Sequence, residues 1–147
     1  MVIIFEQQNS CTIDTNWLQE IANKMIVHLG YDDFSVAIVL CEKDFIQNLN
    51  KIHRDKDYPT DILSFPNFTD IVPGQKIILK EQELKDLGDL IVCPEQIQQD
   101  AIELEEVFDV RMQKIIAHGL CHLLGYTHYT EEEHEKMAPL EDELLKL

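Results

Sequence analysis

Three histidines fall within the run His118-Gly-Leu-Cys-His122-Leu-Leu-Gly-Tyr-Thr-His128. Neutral imidazole is the commonest protein ligand for transition metals. His118 and His122 are four residues apart, about one helical turn, so both project from one face. Gly125 suits a left-handed turn that ends the helix. The chain can then fold back and let His128 supply a third nitrogen. Three neutral ligands leave a fourth tetrahedral position for water, the pattern of catalytic rather than structural zinc. The spacing matches the H-E-x-x-H-x-x-G-x-x-H pattern of one class of zinc peptidase. Gly119, however, stands where those enzymes carry the Glu that activates water. A hydrogen atom cannot act as a general base. Gly119 is expected to leave open space beside the ion or to let another backbone approach.

The remaining histidines carry less. His28 and His53 have no spacing signal, and His134 lies among glutamates on an expected solvent face. Cys11, Cys41, Cys93 and Cys121 are widely separated and form no Cys-x-x-Cys pair. This argues against a disulfide framework or a cysteine zinc knuckle. Each is expected to pack as a small hydrophobe, Cys121 included, although it lies between two proposed ligands.

The elements that must position the histidines follow from periodicity and stop signals. Val2 to Phe5 reads as a strand. Asp14 or Thr15 caps a helix to about Leu29, with Gly30 as its left-handed stop. Phe34 to Cys41 reads as a strand. Glu42 to about Arg54 reads as a helix with Phe45, Leu49 and Ile52 on one side. Asp61 to Phe65 forms a short strand, Lys76 to Leu79 an edge strand, and Leu90 to Cys93 another. Pro94 opens a helix to about Glu105. Val107 to Leu124 forms a long apolar helix, and Thr130-x-x-Glu133 caps a last acidic one that Pro139 should kink or break. The expected fold is one α+β domain over residues 1–147. A single mixed sheet of about four strands packs with about five helices, and the metal site lies on a central helix.

Composition sets outer limits. The chain has 147 residues, 45% apolar, which allows one hydrophobic core and argues against disorder. No segment has the roughly 20 apolar residues of a membrane span. The N-terminus lacks the basic flank of a secretion signal, so a cytoplasmic place is expected. A net charge of −16 repels nucleic acid and anionic membranes in general. Seven of the 12 Lys and Arg residues, however, fall between Lys43 and Lys85, and seven acids fall between Glu131 and Glu143. A phosphate chain is therefore expected to meet the middle of the sequence and the metal, and to avoid the C-terminal helix.

A second stretch runs Leu49-Asn50-Lys-Ile-His-Arg54-Asp-Lys-Asp57-Tyr-Pro59-Thr60-Asp61-Ile-Leu63-Ser64-Phe65-Pro66, followed later by Gly88-Asp89-Leu90. Together with the histidine run, it closely resembles the YbeY family of bacterial ribosomal RNA maturation factors. That family carries a stretch like L-N-x-x-Y-R-x-x-D-x-P-T-D-V-L-S-F-P, then G-D-I, then H-G-x-L-H-L-x-G-Y-D-H. Met137 and Glu141 match its tail. The resemblance covers roughly Leu49 to Glu141, with motifs in family order. Three positions depart: His53 replaces Tyr, Cys121 replaces Leu, and Thr127 replaces the Asp before the last histidine.

The resemblance implies a metal-dependent endoribonuclease specific for single strands. It implies action in 16S ribosomal RNA 3′-end maturation and ribosome quality control, with the small ribosomal subunit as partner and no DNA or membrane. It implies His118, His122 and His128 as ligands of one Zn2+ ion, and Arg54 at the active site. Arg54 offers planar paired donors for phosphate, and Lys51 and Lys56 add general attraction. Asp61 and Ser64 are candidates to line the cleft. The attacking group is left open between water and the RNA 2′-hydroxyl, and no general base is identifiable. Two other readings are a zinc peptidase-like hydrolase and a non-catalytic ribosome-assembly factor.

Overall fold

A computed structural model describes residues 1–147. In chain order the elements are β1 (Val2–Gln7), α1 (Thr15–His28), β2 (Ser35–Cys41), α2 (Lys43–Arg54), β3 (Ile62–Pro66), β4 (Asp86–Val92), α3 (Pro94–Glu103), α4 (Phe108–Leu123) and α5 (Glu131–Leu144). The four strands form one sheet in the order β1-β2-β4-β3. β1, β2 and β4 run parallel, and β3 pairs antiparallel with β4, Ile62 opposite Val92 and Ser64 opposite Leu90. No helix is long and apolar enough to cross a membrane.

Alternation along the strands divides the core. Val36, Ile38, Leu40, Ile62, Leu90 and Val92 face one side, where they pack with α1, α3, α4 and α5. Cys41, Leu63, Ile91 and Cys93 face the other side, where Ile46 and Leu49 of α2 cover them. The α4 helix touches α1, α3, α5, β3 and β4 and is the central helix of the larger layer.

The stop signals act as read. The Asp14 carboxylate accepts from the Trp17 amide at 3.0 Å, the Thr130 hydroxyl accepts from the Glu133 amide at 3.1 Å, and Pro94 opens α3. Gly30 and Gly125 follow their helices with positive φ. The edge strand expected at Lys76 to Leu79 is absent, and packing refines the readings of α2 and Pro139. Lys76 to Leu79 pairs with no strand. Its alternation is satisfied without one, since Ile77 and Leu79 pack on the core, Ile78 is exposed, and the Ile77 amide donates to the Tyr31 hydroxyl. On α2 the buried face is Ile46 and Asn50, while Phe45 and Ile52 are exposed. The Asn50 side-chain Nδ2 donates to the Tyr58 carbonyl at 2.9 Å and anchors the loop that follows Arg54. Pro139 lies inside α5 without ending it. It is exposed, and buried Met137 and Leu144 hold the helix on either side.

Gly119 faces neither open space nor another backbone. A Cβ there would stand 2.6 Å from Ile62 Cδ1 and 2.9 Å from Leu90 Cδ2, both on the sheet. The missing side chain lets α4 lie close against β3 and β4. It also turns position 119 toward the core, so a Glu there would bury a carboxylate among apolar side chains. In Gly119→Ala, overpacking costs about 1–3 kcal/mol, against a helix-propensity gain of up to about 1 kcal/mol. Chemical denaturation should therefore show a net loss of stability, and an unchanged or raised midpoint would contradict this packing role.

Candidate metal centre

The last two turns of α4 carry His118 and His122. The helix then ends in a Schellman turn. The Tyr126 amide donates to the Cys121 carbonyl at 3.1 Å and the Gly125 amide to the His122 carbonyl at 3.0 Å. Gly125 has φ +89°, and a Cβ there would lie 2.6 Å from the Ile71 carbonyl oxygen, so both backbone conformation and space require glycine. The reversal brings His128 back to its two partners. One ligand atom from each of the three rings lies within 4.8 Å of the others.

Each ring on α4 is oriented by a neighbour. The Nδ1 of His122 lies 2.8 Å from the Tyr126 carbonyl oxygen, which can only accept, so Nδ1 carries the proton. The Nδ1 of His118 lies 3.2 Å from Glu141 Oε2, a carboxylate oxygen that accepts, so Nδ1 again carries the proton. Both Nε2 atoms are therefore bare, and they face each other at 2.9 Å. Two lone pairs at that separation repel unless a cation lies between them. This donor set fits a divalent metal, with Glu141 and the Tyr126 carbonyl as the outer partners that fix ligand orientation.

Burial and the neighbouring His118 hold the His122 imidazolium down to a pKa of about 4. Burial, then His118, lowers His128 too. Both effects favour the neutral form that binds metal. Burial pushes the Cys121 thiol up to about 12, so it packs as an inert side chain in the core, as its setting suggested.

The triad opens into a cleft of about 490 Å³. Arg54 projects into it from the last turn of α2, and Thr60, Asp61 and Ser64 line it from the approach to β3 and from β3. Lys51 and Lys56 do not line it. Both are exposed, and Lys51 lies 3.9 Å from Asp57. The acidic helix α5 forms one wall through His134, Glu141 and Asp142. The helix that a phosphate chain is expected to avoid thus borders the cleft, because α5 packs back along α4 to bring Glu141 to His118. Two cations from α4, Arg111 and Lys114, also line the cleft. Sequence reading passed over them, although both precede His118 at the spacing of its own helical face.

Thr127, the departure nearest the ligands, donates its hydroxyl to Glu133 Oε2, and the same oxygen accepts the Tyr129 amide at 3.2 Å. A carboxylate thus still stands beside position 127, supplied by α5. It pins the loop that carries His128.

The shift of His122 has a signed consequence. In the metal-free protein its pKa of about 4 lies below the ordinary 6.5. The unfolded chain therefore takes this proton first as pH falls. The folded state loses stability from about pH 6.5 down to about 4, and the loss is complete below that. An NMR titration of chelator-treated protein should place the His122 ring midpoint near 4, and His122→Gln should flatten that part of the stability curve. A ring titrating near 6.5 would contradict the assignment.

The family model described as Endoribonuclease YbeY matches residues 3–147. Endoribonuclease YbeY of Vesicomyosocius okutanii is 32% identical over 145 residues, covering 99% of this chain and 94% of the relative. The protein of the same name from Alkaliphilus metalliredigens is 32% identical over 150 residues, covering 98% and 92%. The solution structure of TM1509 from Thermotoga maritima superposes with a TM-score of 0.60 at 26% identity, covering 99% of this chain and 90% of that one. With the family motifs on the page, and a match over nearly the whole length, the chain belongs to the YbeY family.

Proposed function

We propose that the protein is a metal-dependent endoribonuclease that cuts single-stranded RNA, acting in the cytoplasm on the 3′ end of small-subunit ribosomal RNA and in ribosome quality control. The observation that carries this reading is the pair of bare Nε2 atoms 2.9 Å apart, joined by His128 and opening on a cleft that also holds Arg54, in a member of this family.

His118, His122 and His128 hold one divalent ion, and an imidazole-only set favours zinc among common ions. Such an ion, when bound, supplies Lewis-acid polarisation of a phosphoryl oxygen and a positive charge in an otherwise acidic protein. The chain's own residues do the rest. Glu141 holds the proton at His118 Nδ1 and so leaves Nε2 of that ring free to bind an ion. Arg54 presents a planar fork to a phosphate, and the hydroxyls of Thr60 and Ser64 offer hydrogen bonds along the same wall. The peptidase alternative is weakened by position 119, which faces Ile62 and Leu90 and cannot present a base to the cleft.

Arg54→Ala tests the nuclease assignment. Cleavage of single-stranded RNA should fall by about a hundredfold or more, the scale of losing one donor to developing charge. Metal content by elemental analysis should be unchanged, because Arg54 lies outside the set of three ligand rings. Full activity in this variant would refute the role of Arg54. RNA binding without metal-dependent cleavage in the unaltered protein would instead support an assembly factor.

A further inference from the structure

The chain contains two arginines, Arg54 and Arg111, and both line the histidine cleft. Acidic residues outnumber Lys and Arg by 28 to 12, so nearly any surface arginine has a carboxylate to meet. Neither arginine forms an ion pair. Lys114, the adjacent cation on α4, is neutralised by Glu106 at 3.1 Å, but Arg111 is not. Its Nε is buried and has no hydrogen-bond acceptor. A buried donor left unpaired costs about 1–3 kcal/mol, which a bound anion would relieve.

Position fixes which anion. Arg111 precedes His118 by seven residues, two turns along the same face, or about 10 Å of helix rise. Arg54 enters the same cleft from a different element, the last turn of α2. We propose that Arg111 binds a phosphate of the RNA strand that flanks the scissile one, so that the strand lies along α4 with its reacting phosphate at the histidines and Arg54. This inference rests on the proposed RNA substrate and adds the direction the strand takes across the site. It makes Arg111 a binding residue for the neighbouring nucleotide, with no contact to the reacting atoms.

Two readouts test it on the full chain. The first is the salt dependence of single-stranded RNA binding to chelator-treated protein, followed by fluorescence anisotropy. Removing one phosphate contact should lower the slope of log affinity against log salt by about 0.7. Arg111→Met should show that drop, and Lys24→Met, which removes a charge far from the cleft, should not. With metal-loaded protein, Arg111→Met should raise KM about tenfold while kcat changes little, the pattern of lost uniform binding.

The second readout starts from the unaltered protein. RNA oligonucleotides in which one linkage at a time is an uncharged methylphosphonate are cleaved by the unaltered protein. One linkage flanking the cut should be sensitive, with KM raised about tenfold, and that sensitivity should vanish in Arg111→Met because the two changes remove the same contact. Insensitivity at every flanking linkage, or an unchanged salt slope and KM in Arg111→Met, overturns the proposal while leaving the nuclease reading intact. Failure of metal-loaded protein to cut any single-stranded RNA removes the nuclease reading itself, and the subsite with it.

Discussion

The chain reversal at Gly125 brings His128 back beside the last two turns of α4, and the convergence of three imidazoles depends on it. The turn is set by a backbone conformation with φ +89° and by the Ile71 carbonyl oxygen, which leaves no room for a Cβ. The same turn places the Tyr126 carbonyl against His122 Nδ1, so one local structure both delivers the third ring and selects the tautomer of the second. Glu141 does the corresponding work for His118 from another helix. The site is therefore prepared by a helix end, a loop and α5 acting together. Gly119 fixes its depth by letting α4 settle onto the sheet.

Electrostatics sharpen this arrangement. A protein of net charge −16 is a poor general partner for a polyanion. Its two arginines stand free of carboxylates in the one cleft that also holds the histidines. Concentrating unpaired guanidinium groups and a metal-ready triad in one groove gives local attraction without a basic surface. That contrast favours a single strand able to enter a cleft over a duplex lying on a face.

Much of this was legible in the sequence, and the limits are physical. The ligand spacing could be read because His118, His122 and Gly125 lie within one helix and its stop, where periodicity fixes geometry. The strand and helix boundaries were accurate where caps or glycines mark them, as at Asp14, Thr130 and Pro94. Reading failed where tertiary packing decides. Lys76 to Leu79 has strand-like alternation, but it packs Ile77 and Leu79 on the core beside Tyr31 and joins neither edge of the sheet. The motif puts Gly119 beside the ion, whereas the sheet occupies that side. Glu141 is 23 residues from His118, and nothing local reveals that α5 returns to it. Arg111 and Lys114 share a helical face with His118, but periodicity alone does not show that this face lines a cleft.

A zinc titration of metal-depleted protein, with cleavage of a single-stranded RNA followed at each addition, decides whether the three rings form a working metal site. Activity should rise in proportion to zinc and level off at one equivalent per chain. Full cleavage in the depleted protein, or a rise that ignores stoichiometry, would contradict the account.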